Sequence, residues 1–70
     1  MMNEIIFIVE EYPEGGYTAK ALGEDIFTQA ETLKLLKISI ADSVKCHFDD
    51  ENIPKIVRMH IVKDELFALS

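Results

Sequence analysis

Apolar residues in the first thirty positions follow patterns typical of β-strands. An unbroken run of β-favouring side chains, Ile5 to Val9, lies between polar ends, and such a run is typical of a central strand. Proline and glycine at 13–16 predict a turn, and the alternation over 17–22 predicts a second strand, so we expect a hairpin. After another turn, residues 26–28 suffice only for a short edge strand.

The middle of the chain has the periodicity of an amphipathic helix. Thr32 is a hydroxyl residue directly before this pattern, so it is the predicted N-cap. We expect the helix to end near residues 49–51, because three acids there oppose the helix dipole and Pro54 cannot continue the helix. The predicted core stripe consists of Leu33, Leu36, Ile40, Val44 and Phe48.

The last third of the chain returns to strand-like composition from Ile56 to Val62. Leu66 to Leu69 are expected either to extend that strand or to form a short partner strand. The resulting order, β-β-β-α-β, predicts a two-layer α+β fold in which one helix covers a mainly antiparallel sheet. A right-handed crossover brings the last strand back parallel to the first, which predicts the strand order 3-2-1-4.

Length and composition indicate one domain over residues 1–70. A chain of 70 residues, 49% of them hydrophobic, builds only a small core and usually needs a partner. Cys46 is the only cysteine, so no intramolecular disulfide can form. The N-terminus does not resemble a signal peptide, and we therefore expect a cytoplasmic protein. No apolar run approaches the roughly 18 residues of a membrane span, so we expect no membrane insertion.

The net charge of −6 is concentrated in the first half of the chain. Residues 1–31 contain seven acids and a single base, Lys20, a balance that repels nucleic acid, and direct nucleic-acid binding is therefore not expected. Charge alone favours solubility as the role of these acids, with a docking surface for a basic partner as the alternative.

Candidate catalytic and metal-binding groups are few. Cys46 and His47 are neighbours on a helix and point about 100° apart, so they cannot form a nucleophile and base pair; Cys46 is expected to be a small packing residue. His47 and the acids at 49–51 lack a second histidine or cysteine at ligand spacing. We expect no enzyme activity, no metal and no cofactor.

Two large aliphatic residues, Leu35 and Ile38, lie near Cys46 on the helix face opposite the core stripe. They are either scattered surface residues or part of a self-association surface. The edge of the last strand offers a second route to a homo-oligomer, through strand pairing.

Three short sequences occur in an order that resembles a known family. Gly15-Gly16-Tyr17, the turn around Gly23, and residues 27–33 leading into the helix resemble the N-terminal domain of HicB-type antitoxins, over about residues 4–69. The resemblance implies a partial ribonuclease-H-like fold and self-association. It also implies neutralisation of a small basic mRNA-cleaving toxin of the HicA type.

A ribonuclease-H-like outline does not by itself predict a nuclease. That chemistry needs carboxylates from the first strand, the helix and the last strand around Mg²⁺. The centre of the first strand contains none, and the last strand offers Arg58 and His60 instead. We therefore expect a non-catalytic binding protein, with a stand-alone oligomeric module as the alternative. The residues predicted to contact a basic partner are Glu10, Glu11, Glu14 and Tyr17.

Overall fold

The computed structural model describes residues 3–63 and 65–69. Its elements are β1 (Glu4–Glu11), β2 (Tyr17–Ala21), β3 (Phe27–Ala30), α1 (Leu33–His47) and β4 (Ile56–Lys63). The strands form one sheet in the order β3-β2-β1-β4, in which β4 is parallel to β1 and the other neighbours are antiparallel. The α+β class, the strand order and the parallel return of the last strand are thereby confirmed.

The β1–β2 hairpin closes through a tight connection at residues 12–16. The N–H of Tyr12 donates to the carbonyl of Gly16 over 3.1 Å, and the N–H of Gly15 donates to the carbonyl of Tyr12 over 2.9 Å. Gly15 and Gly16 have φ values of 105° and 97°, which side chains with a Cβ rarely adopt. The turn residues therefore fix the register in which Glu11 faces Tyr17.

Helix α1 begins and faces the sheet as its sequence predicts. The Oγ1 atom of Thr32 accepts the N–H of Leu35 over 3.1 Å, which satisfies one of the free donors of the first turn. The helix ends at His47, one residue before its C-cap, Phe48, slightly ahead of the acids expected to stop it. Leu36, Ile40 and Val44 of the predicted stripe are buried, and Leu33 and Phe48 pack partly buried against them.

The core lies on one face of the sheet only. In β1, the alternate residues Ile5, Phe7 and Val9 are buried under α1, whereas Ile6 and Ile8 point to the other face and are half-buried. The unbroken apolar run of β1 therefore reflects a central position in the sheet and not burial on both faces, because a single helix covers a single face.

Two short segments differ most from their predictions. The third strand was expected at residues 26–28, but β3 spans Phe27–Ala30, and Ile26 is buried in the preceding connection. The expected strand at Leu66–Leu69 is absent from the described residues, since 65–69 belong to no element and are exposed. Asp64, which would join that segment to β4, lies outside the described residues.

Helix α1, with its 15 residues, is too short to cross a bilayer. Within residues 3–63 and 65–69, no helix has the length and hydropathy of a membrane span.

Candidate protein-binding surfaces

The hairpin end of the sheet carries exposed carboxylates beside an exposed tyrosine. Tyr12 is 40% exposed, and its hydroxyl lies 3.4 Å from the Oγ1 of Thr18. Tyr12 and Glu31 line one shallow depression of about 390 Å³. Glu10 and Glu14 are exposed close by, at the end of β1 and in the turn. We call Glu10, Tyr12, Glu14 and Glu31 the hairpin-end surface.

The structure separates the four residues predicted to contact a basic partner. Glu10 and Glu14 belong to the hairpin-end surface. Glu11 follows Glu10 in β1 and points to the helix side, where its Oε2 lies 4.0 Å from Nζ of Lys63. Tyr17 is partly buried against the core cluster, so Tyr12 is the exposed aromatic residue at this end.

Tyr12 and Glu31 were not predicted as contact residues, although the position of each in the sequence gives an indication. Tyr12 lies two positions after Glu10, and residues two apart share a face of a strand. Glu31 follows Ala30, which pairs with Tyr17 across β2 and β3. Locating Glu31 therefore requires the register of two strand pairs, which the pattern of hydrophobic residues alone does not fix.

The face of the sheet that points away from α1 is uncovered and partly apolar. Leu22 is exposed and Phe27 is 62% exposed, and both line a depression that also includes Ile8, Lys20 and Glu10. We call this side the open face. Because Glu10 also points to it, the open face is continuous with the hairpin-end surface.

One of the two edges of the described sheet is the full length of β4, and the other is the short strand β3. This eight-residue strand pairs with β1 on one side and is the terminal strand of the described sheet on the other. Its residues are exposed except for Met59, which is half-buried. No Cα atom of α1 comes within 8 Å of β4, although both elements lie fully inside the described range. Val57 and Met59 therefore border an apolar groove of about 290 Å³ beside α1.

The three residues predicted for self-association lie at the surface of α1. Leu35 and Ile38 are exposed on its outer face, as expected, and their role in association stays a prediction. Cys46 is also exposed, as its predicted position opposite the core stripe indicates, so the expectation that it is a small packing residue is wrong. Cys46 follows the buried Val44 by two positions, which is about 200° around the helix.

Comparison with known proteins gives two similar chains. A UPF0150 protein of Thermotoga maritima is 47% identical over 67 residues, which cover 96% of this chain and 94% of the relative. A UPF0150 protein of Archaeoglobus fulgidus is 52% identical over 55 residues, which cover 79% of this chain and 82% of the relative. This chain belongs to the UPF0150 family.

Other comparisons add no further identification of this UPF0150 chain. No family model matches it, and no solved structure matches it.

Two side-chain hydrogen-bond contacts join residues of this UPF0150 chain that are far apart in the sequence. Arg58 of β4 donates from Nε and Nη2 to the carboxylate of Glu4 in β1, the second bond over 3.3 Å. This hydrogen bonding lowers the pKa of Glu4 and raises that of Arg58. At the end of α1, Nε2 of His47 lies 3.1 Å from Oε1 of Glu24. The first contact joins the edge strand β4 to β1, and the second joins the β2–β3 connection to the end of α1.

The described residues of this UPF0150 chain contain no group of three metal-ligating side chains. His47 interacts with Glu24 rather than with the acids at 49–51. His60 points to the open face of the sheet, opposite Ile8.

Proposed function

We propose that this chain is a non-catalytic protein-binding domain, similar to a HicB-type antitoxin, that neutralises a small basic protein of the HicA type. The observation that carries the proposal is the hairpin-end surface. Glu31 lines the same depression as the exposed Tyr12, and Glu10 and Glu14 are exposed two positions before and after Tyr12 in the chain. A basic side chain entering there would meet negative charge together with an aromatic face, which attracts cations.

The open face would supply the apolar part of the interface. Charge complementarity mainly accelerates encounter and rejects wrong partners, so lasting affinity requires buried apolar contacts. Leu22 and Phe27 are exposed on the face that also contains Glu10. If a partner covers both regions, the carboxylates would accelerate its association, and the apolar side chains of the sheet would become buried against it. Blocking the partner's active surface in this way needs no chemistry from the chain itself.

The proposal is tested by co-expression with a small basic toxin encoded beside the gene. The wild-type chain should restore growth, whereas the double variant Glu10→Lys and Glu14→Lys should restore it poorly. In vitro, the association rate should fall about tenfold at low salt, because the two lysines would repel a basic partner at the position where the glutamates attract it. The fold should be unaffected, since both side chains are exposed, that of Glu10 near the end of β1 and that of Glu14 in the turn.

A matched control is the double variant Asp49→Lys and Asp50→Lys. It makes the same change in net charge beyond the far end of α1, where both acids are exposed. It should rescue growth like the wild type. Equal loss in both double variants would show that only net charge matters. Unchanged rescue by the Glu10 and Glu14 variant would remove the hairpin-end surface from the mechanism.

The alternative is a stand-alone oligomeric module without a toxin, which the long free edge of β4 favours. Failure to bind any basic neighbour would select this alternative. A cytoplasmic location is part of either proposal. It fits the exposed thiol of Cys46, because reducing compartments keep such thiols free.

A further inference from the structure

We propose that the edge of β4 and the groove beside α1 bind an extended, acidic and apolar segment of another protein, which adds a strand to the sheet. Edge strands of natural proteins are usually short, charged, bulged or covered, because free backbone groups invite pairing. β4 is eight residues long, contains no proline and is exposed except at Met59. The addition of a peptide strand to such an edge is a recurring mode of recognition.

The hydrogen bonding of β4 shows which of its backbone groups face the free edge. The N–H of Ile56 donates to the carbonyl of Asn3 over 3.0 Å, and the backbone groups of successive strand residues point to opposite sides. The even-numbered residues of β4 therefore bond to β1. The N–H and C=O groups of Val57, Met59 and Ile61 point outward, where no strand of the described sheet pairs with them. These groups are available to an added strand.

Helix α1 runs opposite in direction to β4. β3 ends at Ala30, which pairs with Tyr17 and therefore lies at the Glu11 end of the sheet. β4 begins at the other end, opposite Glu4. The chain thus enters α1 at the Glu11 end and leaves it at the Glu4 end. Early residues of α1 and late residues of β4 consequently share one end of the sheet.

Three lysines of α1 lie on its side toward β4. Lys37 and Ala41 line the groove that borders β4, which identifies this side of the helix. Lys34 precedes Lys37 by three residues and Lys45 follows Ala41 by four, and residues at these spacings are neighbours on a helix surface. All three lysines are exposed. None of them belongs to an ion pair within the described part of the chain.

Positive charge lies at both ends of the groove, and apolar side chains lie between. Lys34 and Lys63 are at the Glu11 end of the sheet, and Lys45 and Lys55 are at the opposite end. The groove between them, with Lys37 at its rim, has an apolar lining of Ile40, Ala41, Val57 and Met59. A matching ligand therefore has apolar residues at its centre and acids on both sides.

Charge distinguishes the possible protein occupants of this edge. β4 carries Arg58, His60 and Lys63 and no acid, so the basic partner proposed for the hairpin-end surface would meet like charge here. A second copy of β4 would bring the same bases together. An acidic segment meets complementary charge instead. This site is therefore independent of whether a basic toxin exists.

The backbone edge and the apolar groove favour a polypeptide over nucleic acid as the acidic ligand. Phosphates would be attracted to the same lysines, but a nucleic acid has no N–H and C=O groups with the spacing of a strand. It also has no aliphatic side chains to enter the groove between Ala41 and Val57. Three lysines on one side of a helix are few for a phosphate-binding surface. An extended peptide satisfies the edge, the groove and the charge together.

Fluorescence anisotropy with a labelled peptide tests the proposal on the full chain. The probe is the amidated peptide Glu-Asp-Val-Ile-Val-Asp-Glu, which spans about 23 Å when extended, close to the length of β4. The wild type should bind it, and the affinity should fall as salt is raised, because the lysines are exposed. The same peptide with lysine at all acidic positions should bind at least about tenfold more weakly.

Variants of the chain locate the binding site. Lys37→Glu should weaken binding about tenfold or more, because the rim of the groove would then repel the acids of the peptide. Lys20→Glu makes the same change in net charge at an exposed position of β2 and should bind like the wild type. Ile61→Pro removes an N–H that points to the free edge and not to β1, so it should block the added strand. Circular dichroism checks that each variant is folded.

N-methylated peptides test strand pairing without any change in the chain, so this test stays valid if Ile61→Pro misfolds. In an added strand, alternate N–H groups of the peptide bond to β4 and the others point to solvent. Methylation of one alternate set should therefore abolish binding, whereas methylation of the other set should largely preserve it.

Several results would overturn the proposal. A wild type that does not bind the peptide at about 1 mM would do so, as would binding that survives Lys37→Glu unchanged. Equal losses in Lys37→Glu and Lys20→Glu would show attraction by net charge alone. Equal binding of both N-methylated peptides would exclude strand addition. Binding of single-stranded RNA through Lys37, but not of the peptide, would assign the groove to nucleic acid. A dimer that binds no peptide would assign the edge to a second copy.

Discussion

At the scale of single residues, the face of the sheet on which an aromatic ring lies determines whether the ring is buried in the core or exposed. Phe7 and Phe27 both lie in strands, yet Phe7 is fully buried in β1 and Phe27 is 62% exposed at the start of β3. Phe7 points to α1, whereas Phe27 pairs with Lys20 on the open face. Identical side chains therefore have different environments, one in the core and one on the proposed binding surface.

Replacing each phenylalanine by alanine should separate these roles. Phe7→Ala removes a buried ring from a small core, and we expect a loss of about 3–5 kcal/mol in the free energy of unfolding. Phe27→Ala should cost no more than about 1 kcal/mol, because the ring is mostly in water. Urea denaturation of both variants measures the difference. Equal losses would contradict the one-sided core.

The side-chain contacts between residues far apart in the chain could not be predicted from the sequence. Glu4 and Arg58 are 54 positions apart, and Glu24 and His47 are 23 positions apart. Each contact depends on a strand register or a helix end that the hydrophobic pattern does not determine. For Cys46, the helical period that places it opposite the core stripe was a better guide to its exposure than its small apolar side chain.

At the scale of elements, the long segments were predictable and the short ones were not. β1 and β4 are long β-favouring segments and α1 has a helical period, and the crossover rule then predicts the strand order. β3 has only four residues, so its start was misplaced by one position and its end by two. Leu66–Leu69 have a strand-like composition, but among the described residues of a single chain they pair with no strand of the sheet.

The Glu4–Arg58 pair joins the first strand to the last, and its strength should depend on pH. Because hydrogen bonding to Arg58 lowers the pKa of Glu4 below its ordinary value of 4.5, the pair stabilises the fold above that value. Its contribution is lost as the pH falls through the lowered pKa of the folded state. The effect should be small, since the pair is exposed to solvent.

Chemical denaturation of Glu4→Gln across pH tests this expectation. The variant should unfold at a lower denaturant concentration than the wild type at neutral pH. That difference should shrink steadily as the pH falls below the ordinary pKa of glutamate. Glu51→Gln, at an exposed position in the α1–β4 connection, is the matched control and should change the midpoint little. A difference for Glu4→Gln that persists in acid would show that packing, and not charge, is responsible.

At the scale of the whole molecule, the hairpin-end surface, the open face and the edge of β4 differ in charge and therefore in the partners proposed for them. The acidic hairpin end and the open face suit a basic partner, while β4 carries cations and apolar side chains and suits an acidic segment. A segment bound along β4 leaves Glu10, Tyr12, Glu14 and Glu31 accessible. The chain would thus offer separate sites to two partners on one continuous sheet, so that they do not compete for the same surface.

A segment bound along β4 should make the stability of the chain depend on the concentration of that segment. A small core gives a 70-residue domain little stability of its own, and a ligand that binds only the folded state adds free energy that grows with ligand concentration. At ten times its dissociation constant, the acidic peptide should contribute about 1.4 kcal/mol and raise the melting temperature by roughly 5–10 °C. Scanning calorimetry measures this shift. Lys37→Glu should lose most of it and Lys20→Glu should retain it; a wild-type melting temperature that the peptide does not change would contradict the coupling.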